Sequence, residues 1–111
     1  MNGDSMWQSI NAGLSGKMHE IPTVPSNSKE PLWFKAYIEL GEIFVQNATT
    51  HKPPTNMSQR RKISKLDFDT VFPYYHRWAK GESYLRQVVS RLSRNTAYIF
   101  ALISFFENPR I

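Results

Sequence analysis

An all-α domain is the fold class this sequence predicts, a small bundle of four helices behind a flexible N-terminal arm. Two observations carry that expectation. Apolar residues recur at i, i+3, i+4 and i+7 through 33–44, 68–79 and 85–92, the spacing of one helix face. Pro53 and Pro54 fall between the first two of these stretches and Gly81 between the last two, where they would stop helices.

At 111 residues and without a repeat, the chain fits one domain, large enough to hold a fold without staples. Residues 1–28 are rich in Gly, Ser, Asn and Pro and show little sustained periodicity, so they read as a mobile arm ahead of a single helical domain over 29–111. Trp7, Ile10, Leu14 and Met18 leave open a short helix around Met6 to Leu14 that docks onto the body or onto a second copy.

The first helix begins at Ser28 as cap, with Glu30 and Pro31 in its first turn, where a missing N–H costs nothing. Trp33, Ala36, Tyr37, Leu40, Ile43 and Phe44 form its apolar stripe, and Lys35, Glu39, Glu42 and Gln46 its wet one; the pattern stops near Asn47. Residues 48–62 carry two prolines and no period, so they form a connector. The second helix shows Phe68, Val71, Phe72, Tyr75, Trp78 and Ala79 at helical spacing. Thr70 as its cap puts Pro73 in the first turn, and Gly81 ends it. From Glu82 a third helix sets Leu85, Val88, Val89 and Leu92 against Arg86, Ser90 and Arg91. Ser93, Arg94 and Asn95 interrupt it, since Ser and Asn side chains compete for backbone hydrogen bonds. A fourth helix runs from Asn95 or Thr96 to Phe106 and closes at Asn108-Pro109.

The formal charge of +5 is unevenly spread. Between Lys52 and Arg94 stand ten basic residues against three acidic ones, a local +7, while the remainder carries −2. Such segregation favours a polyanion, nucleic acid first and an anionic membrane surface or acidic protein second. Arg60, Arg61, Lys62 and Lys65 suit phosphates, which ask for charge and little geometry.

Chemistry of other kinds finds little support in the residues. There is no cysteine, hence no disulfide framework and no thiolate metal site. His19, His51 and His76 share no helix face at metal-ligand spacing, no Gly-rich phosphate loop follows a strand, and Asp67 and Asp69 diverge on one helix. The expectation is a non-enzyme without metal or cofactor. Tyr74, Tyr75, His76, Arg77 and Trp78 interleave rings and cations as single-strand binders do, but Tyr75 and Trp78 fall on the core stripe. The run Tyr98 to Phe106 is far shorter than the roughly 20 residues that span a bilayer, and the N-terminus has no secretory pattern. A soluble, cytoplasmic chain that spans no membrane is expected.

The stretch VVSRLSRNTAYIFAL resembles the helix-turn-helix of bacterial and phage regulators, whose recognition helices often open with a Ser-Arg-Asn-Thr string. That resemblance implies a helix-turn-helix-like core with Val88, Val89 and Leu92 buried in the bracing helix and Ala97 and Phe100 in the reader; Ser93, Arg94, Asn95 and Tyr98 would face DNA. In a second register the helix from Thr70 to Lys80 braces, Gly81 turns, and Glu82 to Leu92 reads with Ser83, Arg86, Gln87, Ser90 and Arg91. Arg suits guanine and Gln suits adenine in the major groove. Both registers bring Arg91 to DNA. The fourth helix, with Ile99, Leu102, Ile103, Phe105 and Phe106, is then the seam of a homodimer. The resulting expectation is a DNA-binding protein regulating transcription or replication on duplex DNA. The alternative is an adaptor or inhibitor that docks an acidic protein partner through the same basic face.

Overall fold

The computed structural model describes residues 2–25 and 30–107. Ser28, Asn108 and Pro109, the expected ends of the first and fourth helices, lie outside the described residues. The chain runs α1 (Gly3–Leu14), β1 (His19–Pro22), β2 (Trp33–Glu39), β3 (Glu42–Asn47), β4 (Arg61–Ile63), α2 (Lys65–Ala79), α3 (Leu85–Ser90) and α4 (Thr96–Glu107). A four-stranded antiparallel meander in the order β1-β2-β3-β4 therefore joins four helices. The class is α+β, which corrects the all-α expectation.

The correction falls on 33–47. Trp33 to Ile38 and Ile43 to Val45 are dense in aromatic and β-branched residues, which suit a pleated surface better than a helix. Alternation settles the faces: Phe34, Ala36, Ile43 and Val45 are buried, whereas Lys35, Tyr37, Phe44 and Gln46 lie on the opposite side. Glu39 pairs with Glu42, so Leu40 and Gly41 form a two-residue hairpin loop, and both take positive φ, +52° and +77°.

Within the stretch expected to be a mobile arm, residues 3–14 form a helix and 19–22 a strand. Asn2 caps α1 by accepting from the Ser5 amide at 2.8 Å, and Met6, Ile10 and Leu14, one line on the helix, are almost fully buried. Gly13 lets α1 approach α4 closely: a Cβ there would stand 2.2 Å from Cε1 of Phe106. His19 opens β1, with its Nε2 3.1 Å from the Gly13 carbonyl.

Helix α2 starts earlier than its pattern suggests, because Ser64 and not Thr70 is the cap, accepting from the Asp67 amide at 3.0 Å. Pro73 thus sits inside the helix. Helix α4 packs against α1, α2, α3 and β1 and occupies the middle of the molecule. That placement explains its apolarity on every side: Ile99, Phe100, Ala101, Leu102 and Ile103 are each at most 1 % exposed. Ile99, Leu102 and Ile103 consequently belong to the core of one molecule and form no dimer seam. Phe105 and Phe106 pack half-buried against the same core.

Candidate nucleic-acid interface

The basic segment divides into two groups that the fold treats differently. Strand β4 carries Arg61 and Lys62 on the sheet edge. Arg60, just ahead of it, lies 4.0 Å over the Phe44 ring and donates to Tyr37 Oη at 3.1 Å and Glu39 Oε2 at 2.6 Å. Those bonds, to Tyr37 first and Glu39 second, hold its guanidinium more firmly protonated than usual. Lys62 pairs with Glu42 at 3.3 Å across the open face of the sheet. Lys65 bridges Asp69 and Asp4 at 2.8 and 2.9 Å. Arg77, on α2, holds Glu82 with two nitrogens, at 2.9 and 3.1 Å. Arg60, Lys62 and Lys65 therefore present far less positive field than their count suggests.

Arg61 points the other way. From β4 it reaches the start of α4, where Nη1 donates to the Arg94 carbonyl at 3.2 Å and the guanidinium lies 5.5 Å from the Tyr98 ring centre. No carboxylate among the described residues pairs with it. Arg91 and Arg94 likewise join no carboxylate among the described residues and are exposed. Arg61 thus reaches the start of α4 beside Arg94, and Arg91 stands three residues earlier in the chain, at the end of α3.

The string Ser93-Arg94-Asn95-Thr96 is a structural turn with one outward member. The Ser93 hydroxyl accepts from the Asn95 amide at 3.1 Å. Asn95, 5 % exposed, donates from Nδ2 to Asp67 Oδ2 at 2.7 Å and so ties α4 to α2; its Oδ1 is buried without a partner. Thr96 donates to the carbonyls of Ser93 and Val89, 2.7 and 3.2 Å away. Asn95 is thus inward rather than at a base edge, and Arg94 alone faces solvent.

Helix α3 is a six-residue segment whose inner side is Leu85 and Val89. Arg86 turns inward as well: it donates to the Val24 carbonyl at 3.0 Å and lies 5.3 and 5.4 Å from the ring centres of Trp78 and Phe100. Burial pushes its pKa below the usual arginine value. Gln87, Ser90 and Arg91 remain on the outside, although the Ser90 hydroxyl is engaged with the Arg86 carbonyl at 2.7 Å. Val88 and Leu92, expected to be buried, are 41 % and 55 % exposed, because Arg86 rather than either of them completes the buried side.

Sequence reasoning also missed the residues that shape the connector 48–60. Glu20 on β1 gathers it: Oε2 accepts from the amides of Thr49 and Thr50 at 2.9 and 3.1 Å, and Oε1 from the His51 amide at 2.8 Å. Burial opposes ionisation of this carboxyl, but the bonds from His51, Thr49 and Thr50 outweigh it and bring the pKa down to about 2. His51 then stacks on Trp33 with ring centres 4.1 Å apart. Asn47 pins the far side of the connector, accepting from the Thr55 hydroxyl at 2.8 Å and the Met57 amide at 2.7 Å. Only the isolated Glu and Asn within apolar strands could have signalled these roles.

No helix among the described residues is long and apolar enough to cross a membrane. Compared with known protein families, with curated proteins and with solved structures, the chain matches none.

Proposed function

We propose that this protein binds nucleic acid through its phosphate backbone, using the corner formed by Arg61, Arg91 and Arg94. The observation that carries the reading is the charge balance of the basic segment: Arg60, Lys62, Lys65 and Arg77 are satisfied by carboxylates, while Arg61, which reaches the Arg94 carbonyl, and Arg91 and Arg94 pair with none among the described residues. Phosphate contacts need such uncommitted cations, and planar guanidinium groups bind phosphate oxygens in pairs. Duplex DNA in the cytoplasm is the first partner under this reading, with control of transcription or replication as the role. Backbone contact comes before base readout here, since Arg86 and Asn95 are turned inward and only Gln87, Ser90 and Arg91 of α3 face outward. Recognition of this kind needs no dimer.

Fluorescence anisotropy of a labelled random-sequence duplex, read at several salt concentrations, tests the reading. Three phosphate contacts correspond to a slope of log K against log salt of about −3, and Arg91→Ala should flatten it by about 1. Loss of no affinity in an Arg61→Ala, Arg91→Ala, Arg94→Ala variant that melts like the parent would sink it.

A further inference from the structure

The outer surface of α3 holds something that phosphates cannot use. Tyr84, Val88 and Leu92 are 60 %, 41 % and 55 % exposed and stand at i, i+4 and i+8. The backbone between them is helical, from the Tyr84 carbonyl accepting the Val88 amide at 3.4 Å to the Val89 carbonyl accepting the Leu92 amide at 2.8 Å. They therefore form one apolar line about 12 Å long at 1.5 Å per residue. Leu85 and Val89 already anchor α3 to the core, so this line has no task within the fold. Single exposed apolar residues need no explanation, but a row of three on one helical face is a candidate contact surface. Gln87 and Arg91 lie along one side of it, and Arg94 follows at its end. Glu82, two residues ahead of Tyr84, is engaged by Arg77 and by the Tyr84 hydroxyl, which donates to it at 3.1 Å, and Asp67 accepts from Asn95.

We infer that this face seats an acidic amphipathic helical segment of a protein partner. The apolar line receives the partner's apolar stripe, and Arg91 and Arg94 receive its carboxylates. Charge complementarity selects that occupant over a second copy of this chain, whose own Arg91 and Arg94 would face these across the contact. Tyr and Arg are also the side chains that most often dominate such contacts. The inference rests on the nucleic-acid reading in one respect only: both ligands need Arg91 and Arg94, so they exclude one another, and the acidic segment acts as a competitive regulator.

The test uses the full chain and three synthetic 18-residue peptides: a helix with Leu at i, i+3, i+4 and i+7 and Glu elsewhere, polyglutamate, and the same Leu pattern with Lys. The Leu/Glu peptide should bind at least about tenfold more tightly than either control, a difference of about 1.4 kcal/mol. Val88→Ser with Leu92→Ser should remove that advantage while keeping duplex affinity within about twofold, and unlabelled duplex should displace the peptide. A Leu/Glu peptide that binds no better than polyglutamate, or one indifferent to the double substitution, overturns the docking surface. If sedimentation shows a dimer that the double substitution dissolves, the occupant is a second copy and the acidic partner is wrong. Peptide binding without duplex binding would remove the nucleic-acid reading and leave the docking surface standing; duplex binding without peptide binding does the reverse.

Discussion

The cations around β4 and those around the α3–α4 junction come from one basic segment, yet the fold gives them different work. On the sheet side Arg60 and Lys62 lie across the open face against Tyr37, Glu39 and Glu42, and Lys65 joins α2 to α1. At the junction Arg91 and Arg94 touch no carboxylate among the described residues, and Arg61 reaches over to the Arg94 carbonyl. A count of charges sees one basic region of +7. The structure separates a set paired with the protein's own acids from a set without such partners among the described residues, and the same residue type belongs to either set according to whether an acid lies within reach.

Reversing charge at the two places breaks the comparison most directly. Arg91→Glu with Arg94→Glu should lower duplex affinity by about 3 kcal/mol, roughly hundredfold, because two phosphate contacts become repulsions. Melting should change little, since neither side chain has a structural partner. Arg60→Glu with Lys62→Glu should do the opposite, costing stability through like charges beside Glu39 and Glu42 while altering affinity much less. Equal losses of affinity in both variants would erase the distinction between the two sets.

The next effect tests whether charge on the sheet side holds structure. Glu20→Gln should cost about 2–3 kcal/mol, because a nearly buried carboxylate that collects the amides of 49–51 is replaced by a neutral amide. The sign in pH follows from the lowered pKa. Stability from Glu20 is fully present above the ordinary glutamate value of 4.5 and is lost as pH falls toward about 2. Urea melts at pH 7 and pH 3 should therefore differ less for the variant than for the parent. An unchanged difference would show that the loop does not depend on this charge.

Arg86 sharpens the comparison from the helix side, for it sits among the junction residues and behaves like the sheet set. Arg86→Ala should cost about 2 kcal/mol of stability, through lost packing on Trp78 and Phe100 and an orphaned Val24 carbonyl, and leave duplex affinity unchanged at temperatures where the variant is folded. A stable variant with weakened DNA binding would return Arg86 to the interface.

How much of this the residues disclosed depends on which link is asked about. Helix α2 was legible because Phe68, Val71, Tyr75 and Trp78 all face the core, the condition under which periodicity speaks clearly. Helix α4 was legible as a helix, but its destination was not: an all-round apolar surface fits a core and a dimer seam equally well, and only its neighbours on four elements decide. Of the residues expected to face DNA, Arg91 and Arg94 are exposed, whereas Asn95 and Arg86 turn inward, and the sequence hides this because their partners, Asp67 and Val24, are 28 and 62 residues away in the chain. The open face of the sheet was invisible once 33–44 had been read as a helix.

That misreading has a local cause, and the smallest effect follows from it. Trp33, Ala36, Tyr37, Leu40, Ile43 and Phe44 happen to repeat at helical spacing because the hairpin turn falls in the middle, adding Leu40 to two alternating strands. Leu40 is 96 % exposed with φ +52°, a left-handed conformation that an aliphatic side chain adopts at a cost, and it packs on nothing that would repay it. Asn is the residue this type of turn prefers ahead of Gly, and Asn-Gly would have announced a hairpin between β2 and β3. Leu40→Asn should accordingly stabilise the protein by about 0.5–1 kcal/mol, a rise of a few degrees in Tm for a chain of this size, and leave duplex affinity and its salt slope untouched. A fall in Tm would mean that Leu40 makes contacts in solution that cover the turn, and the open sheet face beside it would then be the surface to examine for a partner.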